Sequence, residues 1–386
     1  MRYRLLLAII LPLALLPHSC QESGFLENRG DLTILHLKGS PYDRGRVHGQ
    51  LLRQEILETI SGWKREVENE FQCSIDTVIA RLFSVTTYEA ELRKNHPDLL
   101  EEVRGISESS GIDYLTLLAF QLSEEMFTVL DQDPSLKCTA IGIAGTDSSP
   151  TLLAQNMDPP QFLHGHPFVM HIIPGRGEPE SFVFTVPGLL GMSGVNEKGV
   201  AVTCMSISML NHSSCGEPVV SVVRTILRQD GLKQAVEYLE HASYAIPQCY
   251  TIGGPEGIRC FECSANDLAE FYPFEEQNIA LHTNFSIRNR DFNSNYIELL
   301  ARYGKSIDDP YFCPRFFHAY DKIEECSRNL DVERIEAILR LPEPEPESIL
   351  NENTLGTLVM ELDSDPVLHL ALGNEAGAAF HSLTFR

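Results

Sequence analysis

Basic residues are scarce in this chain: 30 Lys and Arg stand against 54 Asp and Glu, a formal net charge of −24. A field of that sign repels phosphate backbones and anionic headgroups, so nucleic acid is excluded as a natural partner. Small substrates are not constrained in this way, because a site can hold a local field opposite to the global one. Long biased tracts and internal repeats are also missing. The 43% hydrophobic and 22% charged residues make an ordinary globular balance, neither disordered nor fibrous. With 386 residues the chain can bury a substantial core, as one large domain or two smaller ones.

The apolar run at the start, residues 5–16, is short. As a helix it covers about 18 Å against a hydrocarbon core of about 30 Å, too little for a permanent anchor. Arg2 and Arg4 precede it and Pro17-His18-Ser19-Cys20 closes it, which predicts a signal peptide over 1–20 and an exported protein. Ser19-Cys20 resembles the end of a lipoprotein box, with Leu16 one place early and Pro17 where Leu is usual. A lipid anchor through Cys20 and simple cleavage are therefore both open.

Cysteines stand at 20, 73, 138, 204, 215, 249, 260, 263, 313 and 326. Setting Cys20 aside leaves an odd number, which in an exported protein points to one free thiol with a task. The pair Cys260 and Cys263 falls in Ile258-Arg259-Cys260-Phe261-Glu262-Cys263, which reads as a strand. Residues three apart then point to opposite faces, and no second such pair exists to complete a zinc site.

From 30 to 137 the pattern is mainly helical. Over 40–63, Ser40 is a candidate cap, Pro41 suits the first helical position, and apolar residues recur at 47, 51, 52, 56 and 60. Gly45 and Gly49 weaken such a helix by about 1 kcal/mol each, which predicts close approach of another backbone on that face. Further helices are expected over 74–94, 97–109 and 114–126, with turns at Asn95-His96-Pro97 and Gly111-Ile112-Asp113. A sheet is expected from Lys137 on, with strands at 139–144, 151–156, 168–173, 181–186, 200–206, 249–252 and 258–263. Helices are expected at 219–228, 232–242, 295–303 and 332–340, a closing hairpin at 357–362 and 367–372, and an extended Pro-Glu connection at 342–347.

The segment 137–158 carries the chemistry. It reads as a hairpin, and pairing Ala144 with Thr151 puts Cys138 opposite Met157, within one residue of Asp158. A thiol and a carboxylate thus converge at its open end.

These residues resemble those of the penicillin-acyltransferase-like (C45-type) branch of the N-terminal-nucleophile (Ntn) hydrolases, with a more distant similarity to choloylglycine hydrolases. The resemblance runs through Gly45-Arg46-Val47-His48-Gly49, Glu101-Glu102-Val103-Arg104-Gly105-Ile106, Cys138-Thr139 and Gln155-Asn156-Met157-Asp158. It continues through residues 188–200, from Gly188-Leu189-Leu190-Gly191 to Asn196-Glu197-Lys198-Gly199-Val200, and ends at His282-Thr283-Asn284. It implies an α+β fold, an αββα sandwich preceded by a mainly helical segment. The precursor would cut itself before Cys138, leaving a heterodimer of its own two chains, 30–137 and the catalytic region 138–386. The new α-amino group, with a reference pKa of about 7.7 to 8.0, would then be the base for the thiol it adjoins. No cofactor, no metal and no catalytic His are implied.

By the same resemblance Asp158 orients the Cys138 ammonium or thiol, Asn284 donates to the tetrahedral oxyanion, and Asn196 donates nearby. Plainer readings stand beside these: Asn196 in a turn, Asn284 as a strand-end cap, Asp158 as structural, and Cys138 as an inert buried thiol. Glu124 reads as a solvated helix face, with approach to the cut site as the lesser alternative. Three departures are visible: Phe285 where relatives often have a second His, Gln155 where bile-salt hydrolases have Arg, and Lys137 before the nucleophile, which suits a strained acyl shift less well than Gly. The expectation is an exported cysteine hydrolase or acyltransferase acting on a small linear amide or an acyl thioester. The rivals are a non-catalytic envelope binding protein of the same fold and a metal-dependent hydrolase using His164, His166 and His171. His48 reads as structural, and Gly253-Gly254-Pro255-Glu256-Gly257, which lacks the Lys of a phosphate loop, reads as a turn between strands.

Overall fold

The computed structural model of the protein describes residues 24–131, 137–175, 177–274, 279–308, 313–326, 329–342 and 348–385. The expected signal peptide, Cys20 and nearly all of the Pro-Glu connection lie outside the described residues.

The chain opens on β1 (Gly24–Arg29) and β2 (Leu32–Lys38), an antiparallel pair where no strand was expected before Lys137. Helices follow: α1 (Pro41–Leu51), α2 (Arg53–Phe71), α3 (Ile75–Val85), α4 (Tyr88–Asn95), α5 (Pro97–Ser110), α6 (Tyr114–Gln121) and α7 (Ser123–Val129). Ser40 caps α1 by accepting from the Asp43 N–H, with Pro41 in the first turn. Three of the expected helices are each broken in two. The first breaks at Leu52 (φ −111°), whose side chain is buried, and the others break at 86–87 and at Leu122.

Then come β3 (Lys137–Ile143), β4 (Thr151–Asp158), β5 (Phe168–Ile173), β6 (Ser181–Thr185), β7 (Ser193–Asn196) and β8 (Ala201–Ser206). They are followed by α8 (Val219–Ile226), α9 (Leu232–His241), β9 (Gln248–Gly254), β10 (Gly257–Cys263), β11 (Leu268–Glu270) and β12 (Ile279–His282). The chain closes with α10 (Ser294–Arg302), α11 (Pro314–Glu325), α12 (Val332–Leu339), β13 (Gly356–Leu362), β14 (Val367–Leu372) and β15 (His381–Thr384). The strand at β12 and the helix at α11 were not expected.

Two sheets result, a nine-stranded one in the order β1-β2-β5-β6-β7-β8-β9-β10-β11 and a six-stranded one in the order β12-β3-β4-β13-β14-β15. They pack face to face where β4 meets β8 and β9. Helices α1, α8 and α9 cover the larger sheet, and α11 and α12 cover the smaller. The architecture is thus α+β in four layers, αββα. The mainly helical segment is no separate preface, because β2 pairs in parallel with β5 and makes the chain before Cys138 part of the larger sheet. Strand β4 is buried at every residue between helices and the facing sheet, so its polar Thr151, Gln155, Asn156 and Asp158 are buried along with its apolar residues.

The two helical glycine motifs meet each other. A Cβ on Gly45 would lie 1.9 Å from the Glu102 carbonyl oxygen, and one on Gly105 would lie 2.3 Å from the Tyr42 carbonyl oxygen, so α1 and α5 cross backbone to backbone. This is the close approach that the glycine spacing predicts.

Candidate active site

Strands β3 and β4 pair in the register expected from spacing, with Cys138 opposite Met157 and Lys137 opposite Asp158. The hairpin turn is tied by the Gly145 N–H donating to Thr151 Oγ1 (2.9 Å). Cys138 is 5% exposed. Burial pushes its thiol up to about 12, and the negative charge of Asp158 adds to the rise, while the Asp158 backbone N–H donates to the thiol and opposes it. Asp158 itself is pushed up to about 6 by burial, against the pull of Arg315 and of hydrogen bonds from Thr354 and Asn351. Asn351 Nδ2 donates to Asp158 Oδ2 at 2.6 Å, and Oδ1 has no hydrogen-bond partner among the described residues.

Asn284 follows β12, beside β3. Its Oδ1 accepts from the Cys138 backbone N–H (2.5 Å), and its Nδ2 donates to the Ser206 carbonyl (3.2 Å). The amide oxygen rather than the amide nitrogen therefore faces the Cys138 nitrogen. Arg315, in the first turn of α11, donates through Nη2 to Asn284 Oδ1 (3.1 Å) and to the Cys138 carbonyl (3.3 Å). It was missed from sequence, lying in an unrecognised helix far along the chain from Cys138.

The loop carrying Asn284 is shaped by a residue equally unforeseen. Glu262, on β10 inside the Cys-x-x-Cys segment, accepts from the backbone N–H groups of Ile287 (2.7 Å), Arg288 (2.8 Å) and Asn289 (2.7 Å). It also bonds His282 Nε2 at 2.8 Å. Burial works against its charge, but the His282 contact and these donors win, holding its carboxyl below the usual range. In turn Glu262 raises His282 against the opposing effect of burial. Cys260 lies near Cys249 instead of Cys263, with sulfurs 3.5 Å apart, as the opposite-face reading requires.

Asn196 is a correction. Its Nδ2 donates to the carbonyls of Leu227 (3.0 Å) and Gln229 (2.8 Å), and its Oδ1 accepts from the Lys198 and Val200 N–H groups. All of its capacity is used in tying the β7–β8 turn to the end of α8, so it is a turn residue and not a donor beside Cys138. Gln155 also has a structural post: it accepts from Ser193 Oγ and donates to the Cys204 carbonyl, each at 2.7 Å, bridging the two sheets.

Glu124 corrects another expectation, since it lines a pocket with Cys138 and is only partly exposed. The pocket, about 80 Å³, is walled by Phe120, Phe127, Met157, Leu163, Met192 and Val220, with Cys204 and Ser206 nearby. Its Leu189–Met192 wall hangs from residues of α1, α6 and α8. The Gly188 N–H donates to His48 Nε2 (3.1 Å), Gln121 bonds both Gly188 and Leu190, and Arg224 donates to the Leu190 carbonyl. His48 is held neutral by burial, which lowers it to about 4, and it is structural in this sense.

The three histidines of the metal reading part company. His164 bonds the Pro159 carbonyl, His166 meets Glu58, and His171 sits between His36 and Glu180. Gly254 pairs with Gly257 across a tight turn between β9 and β10.

Residues 145–301 match the family model described as acyl-coenzyme A:6-aminopenicillanic acid acyl-transferase. Protein dcd1A of Dictyostelium discoideum is 27% identical over 188 residues, 42% of this chain and 41% of that protein, so the chain spans well under half of that relative. Among solved structures, a Caenorhabditis elegans ortholog of N-acylethanolamine-hydrolyzing acid amidase is 16% identical with a TM-score of 0.42, covering 58% of this chain and 92% of that one. Penicillin V acylase from Agrobacterium tumefaciens is 13% identical with a TM-score of 0.43, covering 64% of this chain and 86% of that one. The family model that matches residues 145–301 is that of the penicillin acyltransferase family, the same family that the motifs of this chain resemble.

Proposed function

We propose that this protein is an exported cysteine amidohydrolase or acyltransferase that cuts itself between Lys137 and Cys138. The observation that carries the reading is a thiol at an apolar pocket, ringed by Asp158, Asn284 and Arg315. While the Cys138 nitrogen is a peptide amide it cannot act as a base, and the buried thiol stays protonated. Once freed, the amine takes the thiol proton as Sγ attacks the substrate carbonyl carbon, then passes that proton to the leaving nitrogen or thiolate as the bond to the acyl carbon breaks. Water or an amine next attacks the acyl-Cys138 thioester and regenerates the thiol. Amide hydrolysis and acyl transfer share the first half of this sequence, and the matched family is described as an acyl-transferase. Hydrolysis of a small linear amide is the favoured outcome.

Asp158 fits the role of orienting the new ammonium, and Arg315 that of holding Asn284 in place. The second N–H of Asn284 is the candidate oxyanion donor. The short N-terminal apolar run supports export.

The test is denaturing intact-mass analysis of the wild type beside Cys138→Ala, together with turnover of simple acyl amides. Two fragments in the wild type, the second beginning at Cys138, with turnover lost in the variant, support the reading. Turnover retained by Cys138→Ala overturns it.

A further inference from the structure

One group in the pocket wall has no part in the reaction above. The lining is almost wholly apolar by area and includes no Lys, Arg or His among the described residues, yet two acids of the first turn of α7 belong to it: Glu125, whose Oε1 accepts from the Val219 N–H at 2.7 Å, and Glu124. Its Oε2 accepts from Gln248 Nε2 at 2.7 Å, and the same nitrogen reaches Ser206 Oγ at 3.4 Å. Gln248 is fully buried, and its Oε1 has no hydrogen-bond partner among the described residues. The titratable groups facing Glu124 are Glu125 on its own helix, Cys138 on β3 and Cys204 on β8; Gln248 on β9 carries no charge. Among the described residues no cation offsets a carboxylate here. An acyl chain entering the pocket strips water from whatever form Glu124 holds, which costs little for a carboxylic acid and much for its anion.

Resting on the reading of this cavity as an acyl pocket, we propose that Glu124 is a specificity-determining residue that admits uncharged acyl groups as a neutral acid and shuts them out when it ionises. Substrates bringing a carboxylate of their own into the pocket are refused in either state. Burial pushes the Glu124 carboxyl up to about 7 against the pull of Gln248, so the admitting form prevails in mildly acidic solution.

Equilibrium binding to Cys138→Ala, followed by calorimetry, tests this without requiring turnover. The probes are N-butylhexanamide and the mono-butylamide of adipic acid, which differ by a terminal carboxylate. The neutral probe is expected to bind about tenfold or more tightly than the acidic one at about pH 5.5, and to weaken about tenfold by about pH 8.5. Adding Glu124→Gln should remove that pH dependence, and adding Glu124→Lys should recruit the acidic probe. Should Glu124→Gln not fold, Glu124→Leu, which also lacks the titrating proton, takes its place. Equal affinities at both pH values, an unchanged pH dependence without the Glu124 carboxyl, or no binding of the neutral probe would each overturn the proposal. Wild-type turnover lost in Cys138→Ala reports separately on the hydrolase reading.

Discussion

Cys138 is chemically quiet for as long as its nitrogen is an amide. Its thiol lies near 12, far above neutrality, whereas a free α-amine titrates at about 7.7 to 8.0 and could relieve it of its proton. Cys138→Ala is therefore expected to abolish both fragmentation and turnover, read by intact mass and an amide-hydrolysis assay. The two asparagines should separate cleanly. Asn284→Ala is expected to lower kcat by about 10²- to 10³-fold, the usual cost of an oxyanion donor. Asn196→Ala should leave kcat per folded molecule unchanged and cost about 1–3 kcal/mol of stability, since it strands two carbonyls and two N–H groups at a buried turn. Thermal unfolding and active-site titration distinguish these outcomes. Spacing alone brought Cys138 and Asp158 together in the sequence, because a hairpin is local. The position of Arg315 depends on a helix from the far end of the chain. Glu124 was misjudged for a different reason: the break at Leu122 resets the helical phase, so the face it presents cannot be extrapolated from α6.

At the scale of elements, the crossing of α1 and α5 has no room to spare. Gly45→Ala or Gly105→Ala must push the two backbones apart, and overpacking of this kind typically costs about 1–3 kcal/mol. A fall in Tm, with loss of the Leu189–Met192 pocket wall that hangs from His48, is the expected result; an unchanged Tm would mean that the helices can slide. The crossing was legible because paired glycines in a helix need a compensating contact. Strands β1 and β2 were not, since Leu32, Ile34, Leu35 and Leu37 are all buried and break the alternation that marks a strand. The same holds for β11, β12 and β15, at three or four residues too short to show a period.

At the scale of the whole molecule, a buried charge cluster clamps α1, α5 and α8 together. Glu102 on α5 takes a two-pronged contact from Arg224 on α8 (3.1 and 3.0 Å) and another from Arg44 on α1 (3.3 Å). Burial opposes its ionisation, but the two guanidinium groups win and hold its carboxyl at about 2. Stability from this group is present above the ordinary carboxylate range and is lost as pH falls toward 2. Glu102→Gln, which leaves two buried cations short of a partner, is expected to cost about 3–5 kcal/mol. The opposite limb belongs to Glu124 and Glu125, which burial raises to about 7 and about 8. Their neutral forms favour the fold in acid, and that contribution is lost as pH rises through those values. Tm should therefore decline from about pH 4.5, where these carboxyls begin to ionise in the unfolded chain, to about pH 8, and Glu125→Gln should flatten the decline, as scanning calorimetry across that range would record.

Strand β3, which begins at Lys137 and Cys138, is flanked by β12 and β4 in the smaller sheet, while the chain before it is sewn into the larger sheet through β2 and β5. A break at Lys137–Cys138 would therefore release neither piece. The first would remain as a folding template built into the gene, needed once to bring β5 and its neighbours into order. After the cut, assembly would become bimolecular, so denaturation of the mature form would be a one-way event in dilute solution. The working life of such a protein is governed by how slowly it opens, and its age could be read from the fraction that no longer refolds.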